Sequence, residues 1–403
     1  MTTDERLPSW TGQAVHVPGH QVWLLAVSYG VTIANLYYCQ PLLPDMARSY
    51  ASAFEVGYLP AVGQLGYALG LVLVVPLGDI VRRRPLVCLL LLVEVVALVV
   101  TSTAPTVGVL LTAGAVIGLA GASVVNILIP YAATLAGEHE RGRVIATMLS
   151  GGLVGILLSR TIAGLTAEAI GWRALFLGAA VVTLLLTGAL ARTLPSAPAE
   201  MAIGYAAQFR ATVKLTVSEP LLRRRSLIGA CTFGAFGVFW ATVAFLLSGP
   251  SYKYGEAEIG LFALVGAAGA IAAQAAGRAV DRGRQRQLTG ILLIVGVASF
   301  GVTAIGTQGL VWLVVGLLAM DMAVQGTHVL NMSVVYGLVN VARSRIASVY
   351  MTTYTLGGVA GTAAGTAAYQ FGGWAAVSAV GAVFMVLGLI VWARDKHGGF
   401  HAS

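Results

Sequence analysis

Three ionisable side chains lie in the interior of long apolar stretches of the chain, namely Glu94, Arg160 and Asp321. A charge at the centre of a membrane helix costs about 2.5 to 3.5 kcal/mol on insertion scales, so a charged residue that persists there usually faces a cavity or a partner. A carboxyl group in such a place can carry a proton, and a guanidinium group can bind a carboxylate or another anion. These residue types therefore indicate proton handling and binding of a charged group.

Asp321, Gln325 and His328 are spaced by four and three residues within the stretch LLAMDMAVQGTHVLN. On a helix this spacing places the three side chains on one face. An acid, an amide and an imidazole together suit proton handling and hydrogen bonding to a substrate. Asp321 is the expected proton carrier and Glu94 is the second candidate, although a hydrogen-bond network that only joins helices would give the same pattern.

Aromatic side chains recur along the stretch CTFGAFGVFWATVAF, where Phe233, Phe236 and Trp240 have helical spacing. Aromatic walls with a few polar groups suit a mid-sized organic ligand, so Phe236 and Trp240 are candidate substrate contacts. Each aromatic side chain taken alone more often serves helix packing than ligand contact.

The composition indicates where these residues lie. The chain has 403 residues, of which 58% are hydrophobic and 10% are charged, against roughly a quarter charged in soluble domains. An apolar run of about 20 residues crosses a bilayer as a helix, because lipid offers no partner for backbone hydrogen bonds. We therefore predict an all-α integral membrane protein with twelve spans, over residues 21–47, 55–77, 86–103, 106–136, 143–168, 172–194, 225–249, 257–279, 288–305, 310–340, 346–370 and 373–393.

The polar segment before span one lacks the apolar core and cleavage site of a secretory signal, so no cleavage is expected. His16 and His20 have a spacing that could bind a metal on a helix, but Pro18 breaks the helix between them, and no metal site is expected. The three cysteines have no CxxC spacing and are expected to be small buried side chains.

Basic residues are concentrated on one face of the predicted bundle. Twenty of the 24 Lys and Arg residues fall in the tails and in the even-numbered gaps between spans, and one lies within a span. This asymmetry predicts that both termini lie in the cytoplasm and that the protein crosses a plasma or bacterial inner membrane. The net charge of +8 is thus attributed to topology and anionic lipid, not to nucleic acid. The opposite face has only three basic residues, Arg48, Arg173 and Lys253.

The chain also repeats itself at an offset of 202 positions. The repeat predicts two similar six-helix bundles, over residues 21–194 and 225–393, joined by a cytoplasmic linker over 195–224 and flanked by tails at 1–20 and 394–403. Four pairs of identical residues carry it, namely Asp79 and Asp281, Arg141 and Arg343, Arg143 and Arg345, and Trp172 and Trp374.

Two loop sequences occupy matching places in the two halves, GDIVRRR after span two and GRAVDRGR after span eight. They resemble the two copies of the loop motif of the major facilitator superfamily, in which a Gly is followed after three residues by Asp and Arg, and then by Gly and basic residues. The second copy fits with Gly277, Asp281 and Arg282, whereas the first has Val75 and Ile80 at the Gly and Arg positions. The resemblance covers nearly the whole chain and implies two pseudo-symmetric six-helix bundles.

The resemblance also implies a cytoplasmic gate at these loops. Asp79 and Asp281 would latch the two halves together by facing the positive ends of neighbouring helices. Adjacent arginines would contact acids and carbonyl groups, although topology alone would also place arginines there. The arginines expected to take part are Arg82, Arg83 and Arg282.

In this family, spans one, four, seven and ten line a central cavity, so the resemblance implies that Asn35, Tyr38 and Asn126 contact the substrate. Antiporters of the family usually carry Gly-Pro in span five, where this chain has Arg160, and the usual arginine of span four is absent. Arg160 could replace that charge and bind an anionic substrate group or Asp321. Gln325 and His328 complete the predicted substrate contacts.

These inferences predict a secondary transporter that works by alternating access and is driven by protons. Export of a small amphipathic organic compound is preferred, because the resemblance is to bacterial twelve-span drug and metabolite exporters. Uptake of a small anionic metabolite held by Arg160 is the alternative.

The same sequence also bears on cofactors, on the oligomeric state and on the alternative classes of protein. No GxxxxGK[ST] motif occurs and no soluble domain is long enough to hold a nucleotide site, so ATP is not expected to drive transport. No cofactor is predicted. The simplest assembly is a monomer in lipid, since the glycine-rich helix faces can pack internally. An integral membrane enzyme with Asp321 and His328 as acid and base, or a sensor on the same fold, would be separated from a transporter by transport assays.

Overall fold

The computed structural model of the chain describes residues 18–136, 140–195, 205, 210, 215–216, 218–266, 285–338 and 343–394. These residues form helices and turns, with no β-strand among them. Ten of the helical segments are long and apolar enough to cross a membrane. The all-α membrane fold predicted from the sequence is therefore confirmed.

The helices of the first half follow the predicted spans. Span one is divided at Tyr38, because Pro41 has no N–H to donate to the carbonyl of Tyr37 four residues earlier. Span two changes after Leu69 to a π-helical turn and then to a 3-10 turn. The bounds of spans one to six are Gly19–Tyr37 with Cys39–Tyr50, Ala53–Gly57 with Leu59–Leu69, Gly70–Val74 and Val75–Asp79, Arg83–Thr103, Val107–Leu135, Arg141–Ile170, and Trp172–Thr193.

The described residues of the second half form helices in the same order. Only the start of span eight is described, and Asp281 and Arg282 of the predicted gate lie outside the described residues, as does most of the linker. Spans eleven and twelve form one helical run that bends at Gly373. The bounds of spans seven to twelve are Pro220–Ser248, Glu256–Phe262 with Ala263–Gly266, Gln285–Ala304 with Ile305–Thr307, Leu310–Tyr336, and Arg343–Arg394.

The sequence repeat reappears in the turns that join the last two spans of each half. Gly171 has φ 87° and Gly373 has φ 60°, a backbone conformation that favours glycine because it has no Cβ. Each glycine precedes a tryptophan of the repeat, Trp172 or Trp374, whose indole N–H donates a hydrogen bond within its own half. The same turn thus occurs in both halves.

A second pair of contacts follows the same offset of 202 positions. The Tyr50 hydroxyl donates to the carbonyl of Ala104, at 2.7 Å. The Tyr252 hydroxyl donates to the carbonyl of Gly306. Tyr50 ends the first span of its half and Tyr252 lies just after the first span of the other half, and each bond leads to the end of the third span. The two halves therefore share tertiary contacts as well as sequence.

Glycine also allows close helix packing at equivalent positions. A Cβ atom added at Gly155 would lie 2.2 Å from the carbonyl oxygen of Gly30, and one added at Gly357 would lie 2.1 Å from that of Ala230. Spans five and eleven therefore approach spans one and seven backbone to backbone, which only a residue without a side chain permits.

Each half has its own apolar interior. Two clusters of buried side chains lie in the first half, and two lie in the second. Large apolar side chains are exposed on the outer surfaces of the helices, as suits contact with lipid. Among the most exposed are Leu185, Val311 and Phe371.

Candidate functional site

A cavity of about 270 Å³ lies between the two halves and is lined by residues of both. Its size suits one small organic molecule. Most of its wall is aromatic or aliphatic, and the aromatic members are Tyr29, Tyr37, Tyr67, Phe176, Phe233, Phe236 and Tyr354.

The described wall of this cavity carries several polar side chains but a single charged one. Arg160 is the single Arg, Lys, Asp or Glu among the described residues that line it. An apolar wall with a small number of placed polar groups is the usual composition of a small-molecule site. The other polar side chains are amides, hydroxyls, a thiol and an imidazole, including Asn35, Gln40, Gln64, Gln325 and His328.

The predicted substrate contacts divide into two layers. Asn35, Arg160, Phe236, Gln325 and His328 line the cavity. Three others do not line it and lie behind residues that do, namely Tyr38, Asn126 and Trp240.

Each residue of the second layer supports one of the first. The Tyr38 ring packs edge-on against Phe176, with 6.5 Å between ring centroids. The Asn126 amide donates to the Tyr67 hydroxyl at 3.3 Å. The family resemblance predicted Tyr38 and Asn126 as substrate contacts and helical spacing predicted Trp240, but the rotation of each helix decides which side chain reaches the cavity.

Arg160 is held by three neighbours in its buried position, where 5% of the residue is exposed. Its Nε donates to Gln40 Oε1 at 2.8 Å. Its guanidinium carbon lies 4.9 Å from the ring centroid of Tyr37 and 4.3 Å from that of Trp240. Cation–π contacts of this kind partly compensate a buried cation. Nη2 has no hydrogen-bond partner among the described atoms.

Asp321 is also buried, with 4% of the residue exposed, and lies next to Trp240. A Cβ atom added at Gly266 would lie 3.0 Å from both Asp321 Oδ2 and the Trp240 ring. Asp321 interacts electrostatically with Arg160, but within the described residues no ion pair of 4.0 Å or less joins the two side chains. Asp321 lies behind the cavity wall rather than on it.

Glu94 is fully buried in span three, in the first half. Its Oε1 accepts a hydrogen bond from Asn35 Nδ2 at 2.8 Å, and the same nitrogen lies 3.2 Å from Thr183 Oγ1. Oε2 of Glu94 and Oδ1 of Asn35 have no hydrogen-bond partner in the described part of the chain. Because Asn35 lines the cavity, it links this carboxyl group to any molecule bound there.

The second half contributes an aromatic surface to the cavity. The Phe233 ring stacks on Tyr354 with centroids 4.2 Å apart, and on Phe236 with centroids 5.5 Å apart. His328 Nδ1 lies 3.1 Å from the Tyr350 hydroxyl, and its ring centroid lies 4.7 Å from that of Tyr354. His328 is thus fixed by its neighbours on span eleven, while Gln325 lines the same cavity.

The predicted gate of the first half forms contacts within its own loop, and Arg83 also donates to Thr134 Oγ1 of span four at 3.4 Å. Arg83 is buried, its Nε donates to the carbonyl of Gly78 at 3.0 Å, and its Nη2 lies 3.4 Å from Asp79 Oδ1. Arg82 is exposed. Asp79, at the end of span two, and Arg83, at the start of span three, are therefore joined directly across the loop.

On the face opposite the arginine-rich one, hydrogen bonds join the two halves. Arg48 Nη2 lies 2.7 Å from Glu256 Oε1. The Glu168 carboxylate accepts from the backbone N–H of Ala257 at 3.0 Å, at the start of span eight. On the same helix as Glu168, Thr161 Oγ1 donates to the carbonyl of Gly260 at 3.1 Å.

Spans two and eleven provide a second contact between the halves, which the sequence reasoning missed. Thr366 Oγ1 donates to the carbonyl of Gly57 at 2.9 Å. Thr362 Oγ1 donates to Gln64 Oε1 at 3.4 Å. Gln64, a polar residue inside an apolar run, was the available signal for such a contact.

Among the described residues, no group of three or more His, Cys, Asp or Glu side chains could hold a metal ion.

Comparisons with known proteins agree on one family. The model of the Major Facilitator Superfamily matches residues 25–342. The chain is 38% identical over 386 residues to "Uncharacterized transporter YgaY" of Escherichia coli O157:H7, covering 94% of this chain and 98% of that one. It is 34% identical over 371 residues to "Probable transporter SCO4007" of Streptomyces coelicolor, covering 91% and 85%.

A solved structure shows the same fold. It is that of a bacterial homolog of the human lysosomal transporter Spinster, in an inward-facing and occupied conformation. The TM-score is 0.76 at 15% identity, and the match covers 93% of this chain and 95% of that one.

Proposed function

Because the chain belongs to the major facilitator superfamily and is a membrane transporter rather than an enzyme, we propose that it exports a small amphipathic organic compound in exchange for protons. The observation that carries this proposal is the aromatic cavity between the two halves, next to a buried carboxyl group on each half. In such a transporter, the two bundles rock around a central site that faces each side of the membrane in turn.

The wall of the cavity supports an amphipathic substrate. The stacked rings of Phe233, Phe236 and Tyr354 offer a flat apolar surface. Gln325 and His328 offer hydrogen-bonding groups at the same cavity. A compound with one apolar and one polar part would satisfy both kinds of surface.

Glu94 and Asp321 are the groups we propose for proton coupling. An exchanger needs a group that holds a proton during one stage of the transport cycle and releases it during another. Each of these carboxyl groups is buried and has one oxygen without a hydrogen-bond partner in the described structure. A buried carboxylate with so few partners is costly, whereas the neutral acid is much less so. When the two halves of the protein move and expose one of these carboxyl groups to water, that group would therefore gain or lose its proton.

The contacts between the halves support an assignment of the conformation. The ion pair of Arg48 with Glu256 and the bond from Ala257 to Glu168 close the face opposite the arginine-rich one. We infer that these contacts break when the site opens to that face, and that the loop of Asp79 and Arg83 then latches the arginine-rich face. We assign the arginine-rich face to the cytoplasm.

Proton-coupled uptake of a small anionic metabolite is a second candidate. The observation that favours it is the buried cation Arg160 at the cavity wall, with Nη2 unpaired among the described atoms. In this case the proton and the substrate would move together rather than in opposite directions.

Transport by the purified protein in proteoliposomes separates these candidates by the sign of the pH gradient. Labelled aromatic acids, amides and amines would be supplied outside, with vesicles of each gradient and with protein-free vesicles as the control. An exchanger accumulates its substrate when the lumen is acidic, and a cotransporter does so when the outer solution is acidic. If accumulation is the same with either direction of the pH gradient, proton coupling is refuted. If accumulation is no greater than in protein-free vesicles, transport of these compounds is refuted.

A further inference from the structure

We propose that the substrate is an aromatic organic anion whose carboxylate binds the guanidinium group of Arg160, an inference that rests on the transport function proposed above. It applies to either direction of transport. It goes beyond that function because it assigns a charge to the substrate and a place to each of its parts.

Arg160 is a built site for an anion. The residue is 95% buried, since 5% of it is exposed, and it is the single charged side chain on the described wall of the cavity. Gln40 accepts from Nε, but Nη2 has no hydrogen-bond partner in the described residues. A buried cationic donor without an acceptor is costly, and a carboxylate oxygen would satisfy it with a charge-assisted bond.

The neighbours of Arg160 leave its donors available. Tyr37 and Trp240 pack near the guanidinium group as π-systems, at 4.9 and 4.3 Å from ring centroid to guanidinium carbon. Rings over the face of a guanidinium group do not use its N–H donors, which lie in its plane. These contacts hold the group in place, and in the described structure only Nε of its N–H groups donates to another residue.

Asp321 does not take the place of that ligand. It influences Arg160 electrostatically, yet no ion pair within 4.0 Å joins them in the described structure, and Oδ1 of Asp321 is itself without a hydrogen-bond partner. Asp321 therefore makes no direct contact with the guanidinium group in the described structure, and it does not supply the acceptor that the Arg160 donors lack.

The aromatic part of the substrate is assigned to the second half of the protein. Trp240, which contacts Arg160, lies 6.0 Å from Phe236 between ring centroids. Phe236 continues into the stack with Phe233 and Tyr354, whose successive planes are inclined by 15° and 18°. A ring lying against this surface while its carboxylate meets Arg160 would contact both halves, as alternating access requires.

Equilibrium binding to the purified full-length protein tests the proposal without any gradient. Benzoate, phenylacetate and naphthoate would each be compared with their own primary amides by isothermal titration calorimetry. Each pair differs in charge and hardly in shape. We expect at least one acid to bind about 10- to 100-fold more tightly than its amide, the range set by a charge-assisted hydrogen bond.

Variants then locate the effect. Arg160→Gln should bring the acid to the affinity of its amide, and Arg160→Lys should keep part of the preference because it keeps the charge. Arg173→Gln removes an exposed arginine outside the cavity and should leave the preference unchanged. The proposal is overturned if no acid binds better than its amide in the wild type, a comparison that holds even where a variant fails to fold. It is overturned equally if the preference survives Arg160→Gln.

The same experiment distinguishes this inference from the function on which it rests. Binding is measured without a membrane or a gradient. If an acid binds through Arg160 but its accumulation in vesicles ignores the pH gradient, proton coupling fails and the anion site stands. If gradient-driven transport is found for amides or amines alone, the anion site fails and the transport function stands.

Discussion

Replacing Glu94 with Gln is expected to uncouple transport from the proton gradient while leaving the fold intact. Glu94 is fully buried, and its one hydrogen bond in the described structure comes from Asn35, at 2.8 Å. Gln has nearly the same volume and keeps an oxygen to accept this bond, but it cannot take up or release a proton in the working range. The variant therefore removes the ability of residue 94 to bind a proton and changes its packing and hydrogen bonding little.

The size of each effect follows from these contacts. The new amide nitrogen replaces Oε2, and Asn35 Oδ1, which has no hydrogen-bond partner among the described residues, could accept from it. The free energy of unfolding should thus change by less than about 1 kcal/mol. Glu94→Leu removes the acceptor and leaves the Asn35 amide with Thr183 at 3.2 Å, so it should cost about 1 to 3 kcal/mol.

The functional loss should be much larger than the structural one. One pH unit supplies about 1.4 kcal/mol for each proton moved, which sustains about a tenfold substrate gradient in a one-to-one exchanger. We expect wild-type vesicles with a one-unit gradient to approach this accumulation and Glu94→Gln vesicles to show none. Exchange of labelled for unlabelled substrate should persist in the variant, since it needs no net proton movement.

The assay is substrate accumulation in proteoliposomes, with thermal unfolding of the same preparations as the control for folding. Glu94→Asp keeps a carboxyl group and should retain part of the accumulation. Full accumulation by Glu94→Gln would refute the role of this residue. Loss of both accumulation and exchange, with normal unfolding, would show that Glu94 serves substrate binding instead.

The remaining predictions concern the second carboxyl group, the gate and helix packing. Asp321→Asn should abolish gradient-driven accumulation and leave exchange, because it removes the proton site of span ten; an unchanged pH dependence of transport would contradict this. Asp79→Asn should raise the rate of maleimide labelling of a cysteine placed on the arginine-rich face, because the latch is weakened, and an unchanged rate would count against the latch. Gly118→Leu should lower the melting temperature, with a cost of about 1 to 3 kcal/mol, because its Cβ would lie 1.9 Å from the carbonyl oxygen of Gly63; normal unfolding would show that spans two and four can separate freely.

The helices were predictable because each is encoded locally. Span six was predicted over residues 172–194 and is observed over Trp172–Thr193. A span requires only a long enough apolar run, and lipid forces such a run into a helix. The division of span one at Tyr38 has a local cause too, because Pro41 lacks the N–H that would continue the helix.

The two-fold repeat was also visible in the sequence, because a turn with the same backbone conformation needs the same residue types in both halves. Trp172 and Trp374 marked the offset in the sequence, and the structure places each after a glycine with positive φ. Both halves thus contain the same glycine–tryptophan turn, so a comparison of the sequence with itself was sufficient to find the repeat.

Composition and the internal repeat were enough to predict an all-α membrane protein of two similar halves, with Glu94, Arg160 and Asp321 inside its apolar spans. Tertiary structure alone decided that Arg160 reaches the cavity while Asp321 lies behind its wall, and that Asn35 joins Glu94 to it. The physical reason is that helical periodicity fixes which side chains share a face, whereas the rotation and approach of each helix depend on packing against the others.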